Sequence, residues 1–198
     1  QSVVGYQYNR AKFFPYTKAY LETANYLKRY MKQEIDEKKT DFSKNLFLPM
    51  CYLYRNCVEL SLKTIWFEET KEDFQTKCKC MKKDKHSIWG MWGNIKPYVM
   101  QIADEENPVA YIDVIENYCD QVHKLDGDAN KFRYPMSKKM QAYFTNDRNR
   151  SFDFMKTGDF FEALNNILAC IDGQLNDMND QKAEMEAEYY SEMASDMN

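Results

Sequence analysis

The chain has 198 residues, enough for one compact domain with at most a short appendage. With 44% hydrophobic, 15% aromatic and 29% charged residues it is too apolar to be disordered, and its six Gly and five Pro are too few for a many-turned β sandwich. An all-α fold is the expectation, and neither a run of about 18 uncharged apolar residues nor a signal-peptide pattern points to a membrane span or an export signal. Six cysteines are a low density for a stapled secreted domain, and Cys51, Cys57, Cys119 and Cys170 sit among apolar neighbours like small core residues, so reduced thiols and a cytoplasmic location are expected.

The net charge of −4 conceals an asymmetry. Residues 176–198 hold seven acids against Lys182, a net of −6 that leaves +2 on the remainder. That surplus lies in two segments. One carries Lys77, Lys79, Lys82, Lys83 and Lys85; the other carries Lys131, Arg133, Lys138, Lys139, Arg148 and Arg150. Such segments are either solvated loops or contacts for a phosphate backbone, with Lys82, Lys83, Lys138, Lys139, Arg148 and Arg150 as the candidate nucleic-acid ligands.

Residues 1–16, with Tyr6, Tyr8, Phe13, Phe14 and Tyr16, read as an aromatic strap laid on the body, because five aromatic rings left in water are costly. A first helix is expected from about Thr17 to Asp36, where Ala24, Leu27, Met31 and Ile35 recur every three or four residues. Leu48 to Phe67 differs in kind. Its apolar residues point in almost every direction, the mark of a helix enclosed by its neighbours. Its charges before the C-terminal end, Arg55, Glu59 and Lys63, are four apart and share one stripe. Enclosed charges cost several kcal/mol each unless paired, so the stripe should meet partners from other segments or line a cleft.

A lysine-rich loop then leads to His86 and a helical pattern through Trp92, Ile95, Val99 and Ile102, with a kink or break expected at Pro97. Asn107-Pro108 opens another helix, which Asp126-Gly127-Asp128 ends. In the insert that follows, Met140–Thr145 and Ser151–Met155 suit a small β-hairpin. Asp159, with Glu162 three residues on, suits the cap of a last helix whose buried face includes Phe161, Leu164, Leu168, Ile171 and Leu175. Beyond Gln181 the pattern thins into an acidic tail, 179–198. No internal repeat or linker divides the chain, so residues 1–198 read as a single domain. Cys78-Lys79-Cys80 with His86 lacks the usual zinc spacing, and no glycine-rich phosphate loop or nucleophile elbow occurs, so no metal and no cofactor is expected.

Three words stand in a telling order: LPMCYLYRNCVELSLKTIW (Leu48 to Trp66), KHSIWGMW (Lys85 to Trp92) and DGDANKFRYP (Asp126 to Pro135). Together they resemble the prokaryotic HEPN-type domains of toxins, antiviral defence proteins and partners of nucleotidyltransferases. The resemblance rests on the Tyr54-Arg55 to Lys63 helix, the Lys85-His86 entry to the next one and Phe132-Arg133-Tyr134-Pro135, within residues 15–178. It implies a bundle of about five main helices carrying the small β-hairpin insertion before the last. It further implies a homodimer and, in active members, metal-independent RNA cleavage by an Arg-polar-x-x-x-His motif at the dimer cleft. A histidine there moves the 2′-hydroxyl or leaving-group proton and an arginine stabilises the charged phosphorane.

The sequence departs from that motif. Five residues before His86 and His123 stand Met81 and Tyr118, and the nearest imitation, Arg148 to Asp153, ends in Asp where the histidine belongs. A binding or regulatory module is therefore expected first, acting on RNA, a nucleotide or a protein partner such as an antitoxin or nucleotidyltransferase. The alternative is an endoribonuclease with a displaced site of Arg55, Glu59, His86 and Arg133, and the third reading is a non-catalytic scaffold. All three share one polar seam, in which Lys63, Asp126 and Tyr134 join those four residues.

Overall fold

The computed structural model describes residues 13–37, 45–102, 108–127, 129–144 and 152–196. Among them the fold is all-α: six α-helices and one π turn, with no strand. Helix α1 (Phe14–Asp36) opens with Pro15 in its first turn, where a missing N–H costs nothing. It buries Ala24, Lys28 and Met31 on the side turned to α2 (Phe47–Thr64) and the last helix. Helix α2 is the centre of the molecule. It packs on α1, on α4 (Ile88–Ile102) and on the last helix, α6 (Phe154–Asp196), and hides residues in nearly every direction, from Met50, Cys51, Tyr54 and Arg55 to Val58, Glu59 and Leu62. Around it close Trp92, Ile95, Ile115, Phe161, Leu164 and Leu168, all at or below 1% exposure. Each such side chain contributes about 1.5–3 kcal/mol on burial, which holds the helices against one another.

The lysine-rich segment is not a loop. Asp73 accepts hydrogen bonds from the Gln75 and Thr76 backbone N–H groups and starts a helix, α3 (Phe74–Asp84). A π turn, Ile65–Glu69, joins α2 to the stretch before it. Lys77, counted among the surface bases above, turns inward and is 7% exposed. Its Nζ donates to the carbonyls of Phe67 (2.9 Å) and Thr70 (2.7 Å), so it staples the loose carbonyls that follow α2. Pro97 lies on the exposed side of α4 and does not break it. Helix α5 (Pro108–Asp126) ends at Asp126, as the Asp-Gly-Asp word requires.

The expected hairpin is not seen among the described residues, and its Thr145 to Ser151 lie outside them. Ala142 pairs with Met136, Tyr143 N–H with the Pro135 carbonyl, and Ser137-Lys138-Lys139-Met140 closes the turn with Met140 at φ 59°. The second proposed strand fails because Asp153 accepts from the Met155 and Lys156 N–H groups, and Phe154 and Met155 already belong to α6. Helix α6 thus starts five residues before the expected cap at Asp159. Cys51, Cys57 and Cys119 are buried, and burial pushes each thiol up to about 12, whereas Cys170 is exposed and not a core residue. Of the strap, residues 1–12 lie outside the described residues, and from Phe14 the chain is helical. The acidic segment also differs from expectation: it continues α6 as helix through Asp196. No described helix is long and apolar enough to cross a membrane.

Candidate polar seam and basic face

Four-residue spacing on α2 places Arg55, Glu59 and Lys63 one above another, and Glu59 bonds both of the others. The Glu59 carboxylate takes Arg55 Nη1 on one oxygen at 2.6 Å and Lys63 Nζ on the other at 2.6 Å. His86 Nδ1 reaches that second oxygen at 2.9 Å from the turn between α3 and α4. Burial pushes the Glu59 carboxyl up, but the Lys63 bond and charge, the Arg55 charge and the His86 bond outweigh it and hold the group below its ordinary range. An ionised carboxylate only accepts, so His86 carries its hydrogen on Nδ1, on a ring that is half-exposed.

Arg55 is 1% exposed and its guanidinium is fully committed. Nε donates to the Asp126 carbonyl at 3.0 Å, Nη1 to Glu59, and Nη2 to the carbonyls of His86 and, at 3.5 Å, Gly127. One side chain therefore ties α2 to the end of α5 and to the α3–α4 turn. Asp126 completes the joint. Its carboxylate lies 3.9 Å from Arg55 Nε and accepts the backbone N–H groups of Asn130 (2.8 Å) and Lys131 (2.9 Å), which folds the start of the insert over the seam.

The structure brings together Arg55, Glu59, Lys63, His86 and Asp126. It does not bring Arg133 or Tyr134 among them. The Arg133 guanidinium lies outside, 5.5 Å from the Tyr52 ring and 5.0 Å from the Tyr134 ring, and donates to the Tyr134 hydroxyl at 3.0 Å. This exposed stack explains the Arg-Tyr pair without the seam. Lys82 and Lys83 are exposed in the last turn of α3, where Lys79 shares their outward face and the next turn brings His86. Lys138 and Lys139 are exposed at the tip of the Ser137–Met140 turn. Arg148 and Arg150 lie outside the described residues. Cys78 and Cys80 are half-buried on α3, and no group of side chains among the described residues is arranged to hold a metal ion.

A second, partly buried polar cluster is not apparent in the sequence. Lys28 Nζ bonds Asp159 (3.0 Å) and Glu162 (2.5 Å), and the Tyr54 hydroxyl bonds Asn25 and, at 3.1 Å, Glu162. Asp159 and Glu162, expected as a helix cap, instead clamp α6 to α1. The missed signal was Lys28 itself, which stands four after Ala24 and three before Met31 on the apolar face. Gly158 makes room for it, since a Cβ there would lie 2.3 Å from Lys28 Cδ.

Two cavities stand out among the described residues. One of about 510 Å³ lies where α2, α5 and α6 meet the insert, walled by Phe47, Phe132, Phe144, Phe152 and Phe160. The other, about 220 Å³, lies between α1, α2 and α6 and includes Asp172, whose Oδ1 is buried without a hydrogen-bond partner among the described residues. Burial, aided by the Glu68 charge, raises the Asp172 carboxyl above its ordinary value. A raised acid destabilises the fold at pH values above its unfolded pKa and costs nothing below it. Asp172→Asn is accordingly expected to raise Tm at pH 7 by about 2–4 °C, the shift that 1 kcal/mol makes in a chain of this size. Thermal melts at pH 7 and pH 3 check this, the gain vanishing at pH 3.

No protein-family model, no curated protein and no solved structure matches the chain.

Proposed function

We propose that this chain is a HEPN-like helical module that binds single-stranded RNA without cleaving it, in a cytoplasmic defence or toxin–antitoxin setting. Its contacts are the exposed lysines of α3 and of the Ser137–Met140 turn. The observation that carries the reading is the state of Arg55. An arginine that stabilises a cleavage transition state must reach the phosphate, whereas this one is enclosed and spends all three nitrogens on protein oxygens. The seam holds helices in place; Lys79, Lys82, Lys83, Lys138 and Lys139 are exposed to water. A polyanion met at four of those lysines should bind with a log Kd that changes by about 0.7 per contact for each decade of salt, or about fiftyfold between 50 and 200 mM. Fluorescence anisotropy of a labelled single-stranded RNA measures this directly. Binding that is absent at low salt, or indifferent to salt, would falsify the reading.

One observation favours a second reading, the endoribonuclease. Glu59 bonds the His86 ring through Nδ1 and the ring is half-exposed, an arrangement that suits a general acid–base. On that reading His86 works with surface lysines in place of Arg55.

A further inference from the structure

The smaller cavity, between α1, α2 and α6, has a chemistry that neither the seam nor the lysine surface uses. Its walls are mostly apolar, with Leu21 of α1 and Leu168 and Ala169 of α6 among them. The buried polar groups of its lining already have partners. Asn165 Oδ1 accepts from the Cys57 thiol at 3.0 Å and the Ser61 hydroxyl at 3.4 Å, and its amide donates to the Phe161 carbonyl at 3.0 Å. The Thr64 hydroxyl donates to the Leu60 carbonyl at 3.0 Å. Asp172 is the exception. Its Oδ1 is buried and accepts no hydrogen bond among the described residues. Lys18 lines the same cavity, but its Nζ lies 4.0 Å from Glu22.

A buried carboxylate without a partner is costly and calls for a counter-charge. Water does not suit, because the walls are apolar and a buried water needs two to four polar partners. A hard metal ion takes about six or more oxygen ligands, and no group among the described residues is arranged to hold one. An organic cation with an alkyl tail answers both halves of the cavity, with N–H groups for the carboxylate and methylenes for the leucines. Size sets a limit. At about 30 Å³ for each atom-sized occupant, a cavity of about 220 Å³ holds about seven non-hydrogen atoms, fewer than a drug-sized ligand has.

We propose that this cavity binds a small primary aliphatic amine as its ammonium ion, with the N–H groups on the Asp172 carboxylate and the alkyl chain along Leu21, Leu168 and Ala169. Burial and the Glu68 charge hold the Asp172 carboxyl above its ordinary value, and a bound ammonium ion offsets both. None of the lysines proposed to meet RNA lines this cavity, so the two readings fail separately.

Isothermal titration of the full chain at pH 7 with n-butylammonium chloride tests it. Saturable one-to-one binding is expected, with a Kd of about 0.1–1 mM for so small a ligand. At ten times that Kd the folding equilibrium gains about elevenfold, and Tm rises by about 3–6 °C. Two further probes divide the ligand into its parts: n-butanol has the tail without the charge, and tetramethylammonium chloride has the charge without N–H donors. Each should bind about tenfold more weakly or worse. Asp172→Asn keeps the shape of the side chain and removes its charge, and should weaken butylammonium binding by about tenfold or more. Ala169→Leu changes an exposed position, narrows the cavity with the carboxylate intact, and should weaken binding as well. Circular dichroism verifies that both variants fold. Absence of saturable binding, a butanol or tetramethylammonium affinity equal to that of butylammonium, or undiminished binding in either folded variant overturns the proposal.

Discussion

Replacing Arg55 by Met should lower the unfolding free energy by about 3–5 kcal/mol, the cost of breaking a buried ion pair by removing one partner. The loss is large because Arg55 does three jobs at once. It neutralises Glu59, satisfies the Asp126 and His86 carbonyls, and joins α2, α5 and the α3–α4 turn. Arg55→Lys should not rescue it, since an ammonium lacks the planar fork that spans these acceptors. Arg55→Met combined with Glu59→Leu should recover part of the loss, because the orphaned carboxylate goes with its partner. Urea unfolding at pH 7 measures all three. A loss below about 1 kcal/mol for Arg55→Met would place the seam among weak surface pairs and contradict its structural role.

The same seam fixes a pH dependence. Glu59 is held below its ordinary carboxyl value in the fold, so its contribution is fully present above the unfolded value of about 4.5 and is lost as pH falls through the folded one. The stability difference between the natural chain and Glu59→Gln should accordingly be steady from pH 6 to 8 and shrink below pH 4. A difference that persists unchanged into that acid range would show that the charge of Glu59 is not what the seam uses.

Reversing Lys82 and Lys83 to Glu is the second large effect. If these lysines meet RNA as proposed, two attractive phosphate contacts become two repulsive ones, so affinity for single-stranded RNA should fall at least about tenfold at low salt, and the salt slope should shrink by about 1.4. Both side chains are exposed, so Tm should stay within a degree or two. Lys77→Met is the matched control. Lys77 belongs to the same lysine-rich word but is buried against the Phe67 and Thr70 carbonyls, so its loss should lower Tm and leave RNA affinity alone. Anisotropy and thermal melts on the two variants read both effects, and equal RNA losses in the two would remove the case for a lysine face.

Helix positions and the enclosed nature of α2 were legible in the sequence because 3.6-residue periodicity follows directly from burial. So was the Arg55-Glu59-Lys63 stripe, whose spacing alone brings the three together. His86 and Asp126 required tertiary approach, and the HEPN-like words suggested it without supplying geometry. Arg133 was placed in the seam by the same words and stands outside it, because Tyr52 and Tyr134 offer its guanidinium rings at the surface. The α3 helix was hidden by its lysines: a short polar helix has little apolar face to show, and only the Asp73 cap announced it. Asp159 looked like a cap because capping and ion pairing use the same residue types, and nothing in a single sequence says that Lys28 lies opposite.

The most direct test of the central claim is incubation of labelled single-stranded RNA with the protein in EDTA, in parallel with His86→Ala. If the seam is an internal fastening and the lysines are the contact surface, both proteins should retard the RNA and leave it full length over hours. Cleavage by the natural chain that disappears in His86→Ala would contradict the account and make the Glu59-oriented imidazole a catalytic group.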